Sequence, residues 1–504
     1  MPMKKNLVLR ILDAVERAGN RLPDPISLFA IAALLVIGGS WLASTMGVTV
    51  LHPGTGKSVS VVNLLAAENI RRMFTDAVAN FTAFPPLGLV LVTMIGIAVA
   101  ERGGFITAVL RTSVHNVPRP LLTASLVFAG VNSSLVADAG YVVLIPLGAV
   151  IFAAVGRHPL AGLSATFAGV AGGFSANLSI TSLDPLLGGI TQSAAQLLQP
   201  SYTVSAAANW YFMIASTFVL TIIGTFVCDR IVEPRLGAWK QNGAEGTDMS
   251  ALTAIERKAL WYACIAFLVM VGGVLLIAVP EGAILRDAEG TLKPLEKSIV
   301  VILMLMFLVM GIVYGKVTGT VRNDKDVATL AGDGVSTLGG YIVLSFVMAQ
   351  FIAYFGWSNL GVVTAVSGAE FLRSLALQGP VLLVAFVVVA MVINLLIASA
   401  SAKWAIMAPV FVPMFMLMGI SPEATQAAYR VGDSSTNMIA PLLSYIPLIL
   451  VAMRRYVKDA TLGTLLSLML PYSITIAIVW CIVLLLWVVV GVPLGPGVPA
   501  LFVP

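Results

Sequence analysis

Charge is what this 504-residue chain has least of. Lys, Arg, Asp and Glu make up 11% of it, against roughly 25% in an ordinary soluble domain. So few charges do not cover the surface of a water-soluble protein this long. Cysteine and histidine are equally scarce, three of each. Cys228, Cys264 and Cys481 stand in or beside apolar runs, which argues against a disulfide framework or a thiolate metal site and leaves them as packing residues. His52, His115 and His158 are expected in loops, and there is no HExxH and no Ser-His arrangement. Metal-hydrolytic or nucleophilic catalysis therefore has no machinery here, and an enzyme is not expected. The stretch "PGTGKS", residues 53–58, has the look of a phosphate-binding loop, but the pattern needs glycine five residues before Gly56 and Leu51 stands there. No nucleotide or other organic cofactor is expected. A channel is a further rival, but no ring of repeated filter residues is present.

The pI of 9.1 does not point to nucleic acid, because the basic residues are scattered singly over loops and form no stripe. What is abundant is hydrophobic: 59% of residues, with a mean hydropathy of +0.97. Charge-free runs at 26–47, 206–228, 259–280, 298–315 and 461–493 are long enough to cross a hydrocarbon core of about 30 Å. The fold class is an all-α polytopic membrane protein, with the bilayer as its first partner. The N-terminal "MPMKKNLVLRILDAVERAGNRLPDP" has basic residues but no small-residue cleavage site, and is expected to be a cytoplasmic interfacial helix over 1–25.

Orientation follows from the basic residues. With the N-terminus inside, runs 26–47 and 84–100 cross, and the loop bearing Arg102, Arg111 and Arg119 is again inside. Continued along the chain, this places most Lys and Arg inside, with Lys57, Arg71, Arg72, Arg286, Lys293, Lys297 and Arg373 outside and Lys403 and Arg430 on neither side. The bias holds only if two stretches do not span. Arms 120–137 and 139–156, split by Asp138, start and end inside; arms 380–398 and 404–420, joined by "SASAK", start and end outside. Two re-entrant hairpins of opposite entry mark an inverted-repeat transporter. Short matches agree: Asn132 parallels Asn394, Tyr141 parallels Trp404, and Asn177 parallels Asn437.

Each hairpin is followed by a polar segment, "AGGFSANLSITSLDPLL" at 171–187 and "GDSSTNMIAPLL" at 432–443. Such glycine-, serine- and proline-interrupted backbone survives at membrane depth only where it is buried or lines a wet cavity. Breaks are expected over 171–185 and between Gly432 and Pro441. Their Asn, Ser and Thr oxygens and freed carbonyls suit a small hard cation such as Na⁺. A charge at mid-bilayer costs about 2.5 to 3.5 kcal/mol even on a lenient scale, so each needs a partner or a purpose. Arg430 and Asp433 lie three apart on one helical face and pair there, or else Arg430 receives a substrate carboxylate while Asp433 handles a cation or proton. Asp184 has no basic neighbour in its own span, which favours cation binding or titration. Asp138 and Lys403 stand at the hairpin tips, where water is within reach. Trp404 offers a flat face beside the polar site or an interfacial anchor.

The stretch "SAKWAIMAPVFVPM", followed by "GISPEATQAAYRVGDSSTNMIAPLL", and the early "ERAGNRLPDPISLF" resemble the p-aminobenzoyl-glutamate transporter (AbgT) family over essentially the full length. The resemblance implies a homodimeric bacterial inner-membrane carrier with about nine transmembrane helices, two re-entrant hairpins, scaffold and transport parts, and Na⁺ in the site. Some members look like importers of p-aminobenzoyl-glutamate and others like proton-motive-force-driven exporters of sulfonamide antimetabolites. Carried over residue by residue, the substrate site is Asp184, Ser401, Trp404, Pro422, Arg430, Asp433 and Pro441, with Asn132, Asn177, Asn394, Asp433 and Asn437 toward the cation. A small aromatic amide or carboxylate is the expected cargo; a Na⁺-coupled dicarboxylate importer is the alternative. The expected parts are scaffold 26–119, transport 120–205, scaffold and dimerisation 206–372, transport 373–453 and a C-terminal transmembrane helix 454–504. By analogy with hairpin carriers, the transport parts move elevator-like as one body.

Overall fold

The computed structural model describes residues 25–51, 57–115, 118–136, 140–239, 252–287, 290, 293–336, 338–374, 379–397, 399–440, 443 and 445–502. The interfacial helix expected over 1–25 lies outside them up to residue 24, as do Asp138 and Pro441.

Helices dominate because the apolar runs have no other way to satisfy their backbone away from water. Among the described residues six are long and apolar enough to cross a membrane. In chain order the principal helices are α1 (Pro25–Thr45), α2 (Pro85–Arg102), α3 (Phe105–His115), α4 (Leu122–Asn132), α5 (Ile145–Ala154), α6 (Pro159–Phe167), α7 (Leu183–Ala195), α8 (Trp210–Val227), α9 (Ala254–Ala278) and α10 (Lys293–Thr318). They continue as α11 (Gly339–Trp357), α12 (Leu360–Ser374), α13 (Pro380–Leu396), α14 (Ala400–Met416), α15 (Pro422–Asn437), α16 (Ile446–Arg454) and α17 (Leu462–Val490). His115 thus closes a helix instead of lying in a loop.

The fold departs from all-α at one point. Strands β1 (Thr49–Leu51) and β2 (Ser58–Ser60) pair antiparallel with Val50 opposite Val59. This ribbon takes up the end of "PGTGKS": Ser58 starts a strand, and among the described residues that follow no helix begins before Ala67. A phosphate loop needs a helix N-terminus directly after its Lys-Ser, and here a strand stands there.

Both predicted hairpins are present as pairs of short helices. α4 runs into a tight turn over Ser133–Val136, and a widened turn over Gly140–Leu144 leads into α5. α13 and α14 flank an extended link in which the Ser399 hydroxyl caps α14 by accepting from the Ala402 amide at 3.3 Å. Each of these helices has 10 to 17 residues, short of the ~20 a full crossing needs.

The breaks follow. α6 continues through Ala168–Gly172 and then loses regular structure until α7 begins at Leu183. Pro185 does not unwind this helix; it sits in the first turn, where its missing N–H leaves no bond unmade. The second break is displaced from its expected place. α15 runs unbroken through Gly432 to Asn437, and helix resumes only at Ile446.

Two packing groups result. α1 lies on α11, α2 on α10, and α10 on α9. α2 and α10 meet at bare backbone: a Cβ on Gly96 would stand 2.1 Å from the Met304 carbonyl oxygen, so only glycine permits that approach. The other group is α4 to α7 with α13 to α15, into which α8 and α17 are also packed. Both of those spans touch the polar segments: Trp210 Nε1 donates to the Leu178 carbonyl at 2.9 Å, and Ser473 Oγ to that of Ser435 at 2.7 Å. The two groups meet where α7 crosses α2, where α3 lies between α2 and α4, and where α12 lies between α11 and α14.

The foot of the first hairpin is tied to α8 by charge. Arg157 binds Asp229 at 2.6 Å and Glu233 through Nε at 2.9 Å, and donates to Thr123 Oγ1 at 2.8 Å. Next to it, His158 caps α6: its Nδ1 accepts from the Leu160 amide at 3.2 Å. Burial lowers the His158 pKa below the usual 6.5, with the Glu233 carboxylate opposing. Protonation would also turn the capping nitrogen into a donor facing an N–H. A depressed folded pKa means that this stabilisation is present above the unfolded value and is lost as pH falls through the folded one. Thermal unfolding followed from pH 8 downward should show stability declining below about pH 6.5, and His158→Asn, which keeps a capping acceptor, should flatten that decline.

Candidate functional site

The site is where the two polar segments face each other. Ser175 N donates to Ser434 Oγ at 3.1 Å, and Asn437 Nδ2 reaches the Ala171 carbonyl at 3.4 Å. Asn177 and Asn437, the parallel pair, are both buried. Above them the Tyr141 and Tyr445 rings stack at 4.2 Å, joining the first hairpin to the chain after the second break.

Four buried side chains in this region form ion pairs: Asp184, Lys403, Arg430 and Asp433. They pair differently from the expectation that Arg430 and Asp433 would join along one helix. Arg430 Nη2 instead donates to Asp184 Oδ1 across the fold at 2.6 Å, and Asp433 Oδ1 lies 2.5 Å from Lys403 Nζ. The reason is distance from water. Two acids and two bases are present, and each charge takes the partner that another segment carries to it. Asp184 is therefore not without a base, and Lys403 is not at a wet tip; it is fully buried.

Each acid is held by its local structure. Asp184 stands in the first turn of α7, where the helix end favours negative charge, and its Oδ2 accepts from the Thr181 amide at 2.6 Å and hydroxyl at 2.9 Å. Asp433 sits in the last two turns of α15 beside Tyr429, whose hydroxyl donates to the Ala400 carbonyl at 2.5 Å. Asn394 gathers the second break: its Nδ2 reaches the Asp433 carbonyl at 2.7 Å, Thr436 Oγ1 at 2.9 Å and Asn437 Oδ1 at 2.9 Å. Its Oδ1 accepts from Lys403 Nζ. At the first break Asn132 Oδ1 accepts the Leu178 amide at 3.1 Å, and Asn177 Nδ2 donates to Ser134 Oγ.

Some buried polar atoms at the site have no partner: Ser175 Oγ, Asn177 Oδ1, Asp433 Oδ2 and Arg430 Nε. A native interior leaves few such atoms, so a cluster at one place points to an occupant. The first break fits a Na⁺ ion, since Asn177 Oδ1 and Ser175 Oγ are free hard oxygens. The second fits one less well as arranged: Asp433 Oδ1 and Asn394 Oδ1 already hold an ammonium and Asn437 Oδ1 is taken by Asn394, which leaves Asp433 Oδ2 as its one unpartnered oxygen.

The remaining predicted residues fall around this centre. Trp404 is fully buried with one face stacked on Tyr429 at 4.5 Å, and its Nε1 donates to Thr191 Oγ1 at 2.9 Å. It is thus a wall of the site, neither an interfacial anchor nor, in this conformation, an open platform. Ser401 Oγ is 3.4 Å from that of Ser399, and Pro422 starts α15 behind its capping residue Ser421.

A second buried polar set was not anticipated. Thr191 Oγ1 donates to Gln426 Oε1 at 2.5 Å, Gln426 Nε2 to Asn209 Oδ1 at 3.0 Å, and Asn209 Nδ2 to the Glu423 carbonyl at 2.9 Å. Tyr202 Oη donates to Glu423 Oε2 at 2.9 Å. Its members come from separate stretches of the chain, so spacing carries no trace of it.

Removing one member of a buried pair leaves the other charge uncompensated, at about 3 to 5 kcal/mol, whereas removing both costs far less. Asp184→Asn and Arg430→Gln should each lower unfolding stability by amounts of that order, and the double variant by clearly less than their sum. Additive losses in denaturant melts would show that the pair does not form.

Among the described residues no group of His, Cys, Asp and Glu could hold a metal ion; the arrangement is one of buried charges compensated between distant segments. Comparison with known proteins places the whole chain. Residues 10–502 match the AbgT transporter family model. The p-aminobenzoyl-glutamate transport protein of Escherichia coli K12 is 39% identical over 487 residues, 96% of each chain. Among solved structures, Neisseria gonorrhoeae MtrF, described as illuminating a class of antimetabolite efflux pumps, superposes with a TM-score of 0.92 at 45% identity, covering 97% of this chain and all of its own. The Alcanivorax borkumensis YdaH transporter, described as having an unusual topology, gives 0.89 at 43% identity over 94% of this chain and all of its own. The chain belongs to the AbgT family of membrane transporters.

Proposed function

We propose that this protein is an ion-gradient-driven exporter of p-aminobenzoyl-glutamate-like folate breakdown products, p-aminobenzoate and sulfonamide antimetabolites across the bacterial inner membrane, with its N-terminus cytoplasmic. The observation that carries the reading is the state of Arg430. Its guanidinium gives only one end to Asp184; Nη1 faces the Met213 sulfur at 3.1 Å, a weak acceptor, and Nε has no partner. A planar fork with free donors, buried beside a neutral polar layer, is what an incoming carboxylate needs. The Trp404–Tyr429 stack forms the aromatic wall next to it, suited to an aryl ring. The names of the relatives, one a p-aminobenzoyl-glutamate transport protein and one an antimetabolite efflux pump, support this class of cargo.

Asn177 Oδ1 and Ser175 Oγ at the first break, with Asn132 holding the backbone there, would take a coupling Na⁺, which would supply positive charge beside the cargo; the proton motive force is the other drive. In this proposal two copies form a homodimer through the α1, α2 and α9 to α11 group, and the hairpins and breaks travel together as an elevator. A covalent cross-link between α7 and α2 that leaves turnover intact would remove the elevator, and a monomer by sedimentation would remove the dimer.

The direct test is counterflow of labelled p-aminobenzoyl-glutamate and of a sulfonamide in proteoliposomes under imposed Na⁺ or pH gradients. Flux should saturate, and Arg430→Lys, which keeps the charge but loses the fork, should weaken apparent cargo affinity on the order of tenfold, equivalent to about 1.4 kcal/mol. Unsaturable flux would mean a channel. Competition by succinate but not by p-aminobenzoate would mean a dicarboxylate carrier.

A further inference from the structure

Lys403 is the buried charge that the proposed transport leaves unused. Its Nζ lies 2.5 Å from Asp433 Oδ1 and 3.3 Å from the Ile397 carbonyl, and it also donates to Asn394 Oδ1. Those are a carboxylate, a side-chain amide and a main-chain oxygen freed where α13 ends: the donor set that a small alkali cation takes. The Tyr429 ring stands 5.8 Å away on another side. A buried lysine normally snorkels toward water, and this one does not.

The parallel segment sharpens its role. Matching Tyr141 to Trp404 and Pro146 to Pro409 sets Gly140 opposite Lys403, and matching Asn177 to Asn437 and Gly172 to Gly432 sets Gly173 opposite Asp433. Cation and carboxylate are thus both replaced by glycine in the first segment. Neither glycine position has room for more: a Cβ on Gly140 would stand 2.2 Å from Ser133 Oγ, and one on Gly173 2.5 Å from the Gly169 carbonyl oxygen. Lys403 and Asp433 occur as a unit; the segment without them keeps two neutral oxygens free, Ser175 Oγ and Asn177 Oδ1, whereas beside the ammonium only Asp433 Oδ2 is left unpartnered.

We propose that Lys403 is a tethered cation that occupies the ion site of the second break in place of free Na⁺, so that Na⁺ binds at Asp433 only once the ammonium has left. The lysine thereby sets which break takes the free ion. The inference takes its meaning from the carrier reading, but its test reads ion binding and not transport, so a carrier of different cargo would leave the result unchanged.

The test is thermal unfolding of the purified full chain in NaCl against choline chloride. Lys403→Gln should unfold at lower temperature in choline and regain much of the loss in Na⁺, and K403Q/D433N should lose that response. In the protein with Lys403 in place, Asp433→Asn should leave any Na⁺ response unchanged. The Asp433-dependent response of K403Q should need about tenfold less Na⁺ than any in the wild type, because an unpaired buried carboxylate strongly favours a counter-ion. A K403Q protein indifferent to Na⁺ overturns the proposal. Should K403Q not fold, ²³Na line broadening by the wild type decides without it: broadening that Asp433→Asn abolishes overturns the proposal, and broadening that it leaves intact supports it.

Discussion

A charge taken out of water needs its opposite, and at the heart of this chain two buried acids find theirs on other segments. Asp184 on α7 is answered by Arg430 on α15, and Asp433 on α15 by Lys403 on α14. Neither acid–base pair lies within one helix. The two breaks are consequently held at one depth by electrostatics as much as by packing, since sliding any of the three helices alone would strand a bare charge.

The same constraint explains why the polar layer is so extensive. Asn394 alone spends its amide group on three acceptors of the second break, and the set running from Trp404 through Thr191, Gln426 and Asn209 to Glu423 satisfies groups that could not otherwise be buried. Apolar bulk surrounds it. α9, whose Trp261, Leu268 and Leu276 face outward, contributes hydrocarbon surface and little buried core. The α8 and α17 spans do both: each donates a hydrogen bond to a broken segment, and each turns apolar side chains outward, Phe218 and Ile222 on α8 and Ile478 and Leu486 on α17.

The short helix pairs, the two polar segments and the buried charges were legible in the sequence because each interrupts a pattern: short apolar arms, glycine and proline inside long runs, and charge where hydropathy forbids it. The pairing of the charges was not. Arg430 and Asp433 are three apart on a helix, and that local spacing overshadowed partners 246 and 30 positions away in Asp184 and Lys403. Lys403 was read as a tip residue because its run is interrupted there, and nothing in the letters shows that the turn folds inward. The exact break in α15 was misplaced for a related reason: Gly432 is needed not to bend the helix but to let it touch α13, where a Cβ would stand 2.6 Å from the Val387 carbonyl oxygen.

The stacked rings of Tyr141 and Tyr445 bear on how such a molecule can move. Together with the bonds from Ser175 to Ser434 and from Asn437 to the Ala171 carbonyl, they rivet the two halves of the binding layer to one another. A clamshell that opened by prising those halves apart would have to tear three contacts at once. The two packing groups meet elsewhere, where α7 crosses α2, so a displacement of one group against the other would leave all three of these contacts whole.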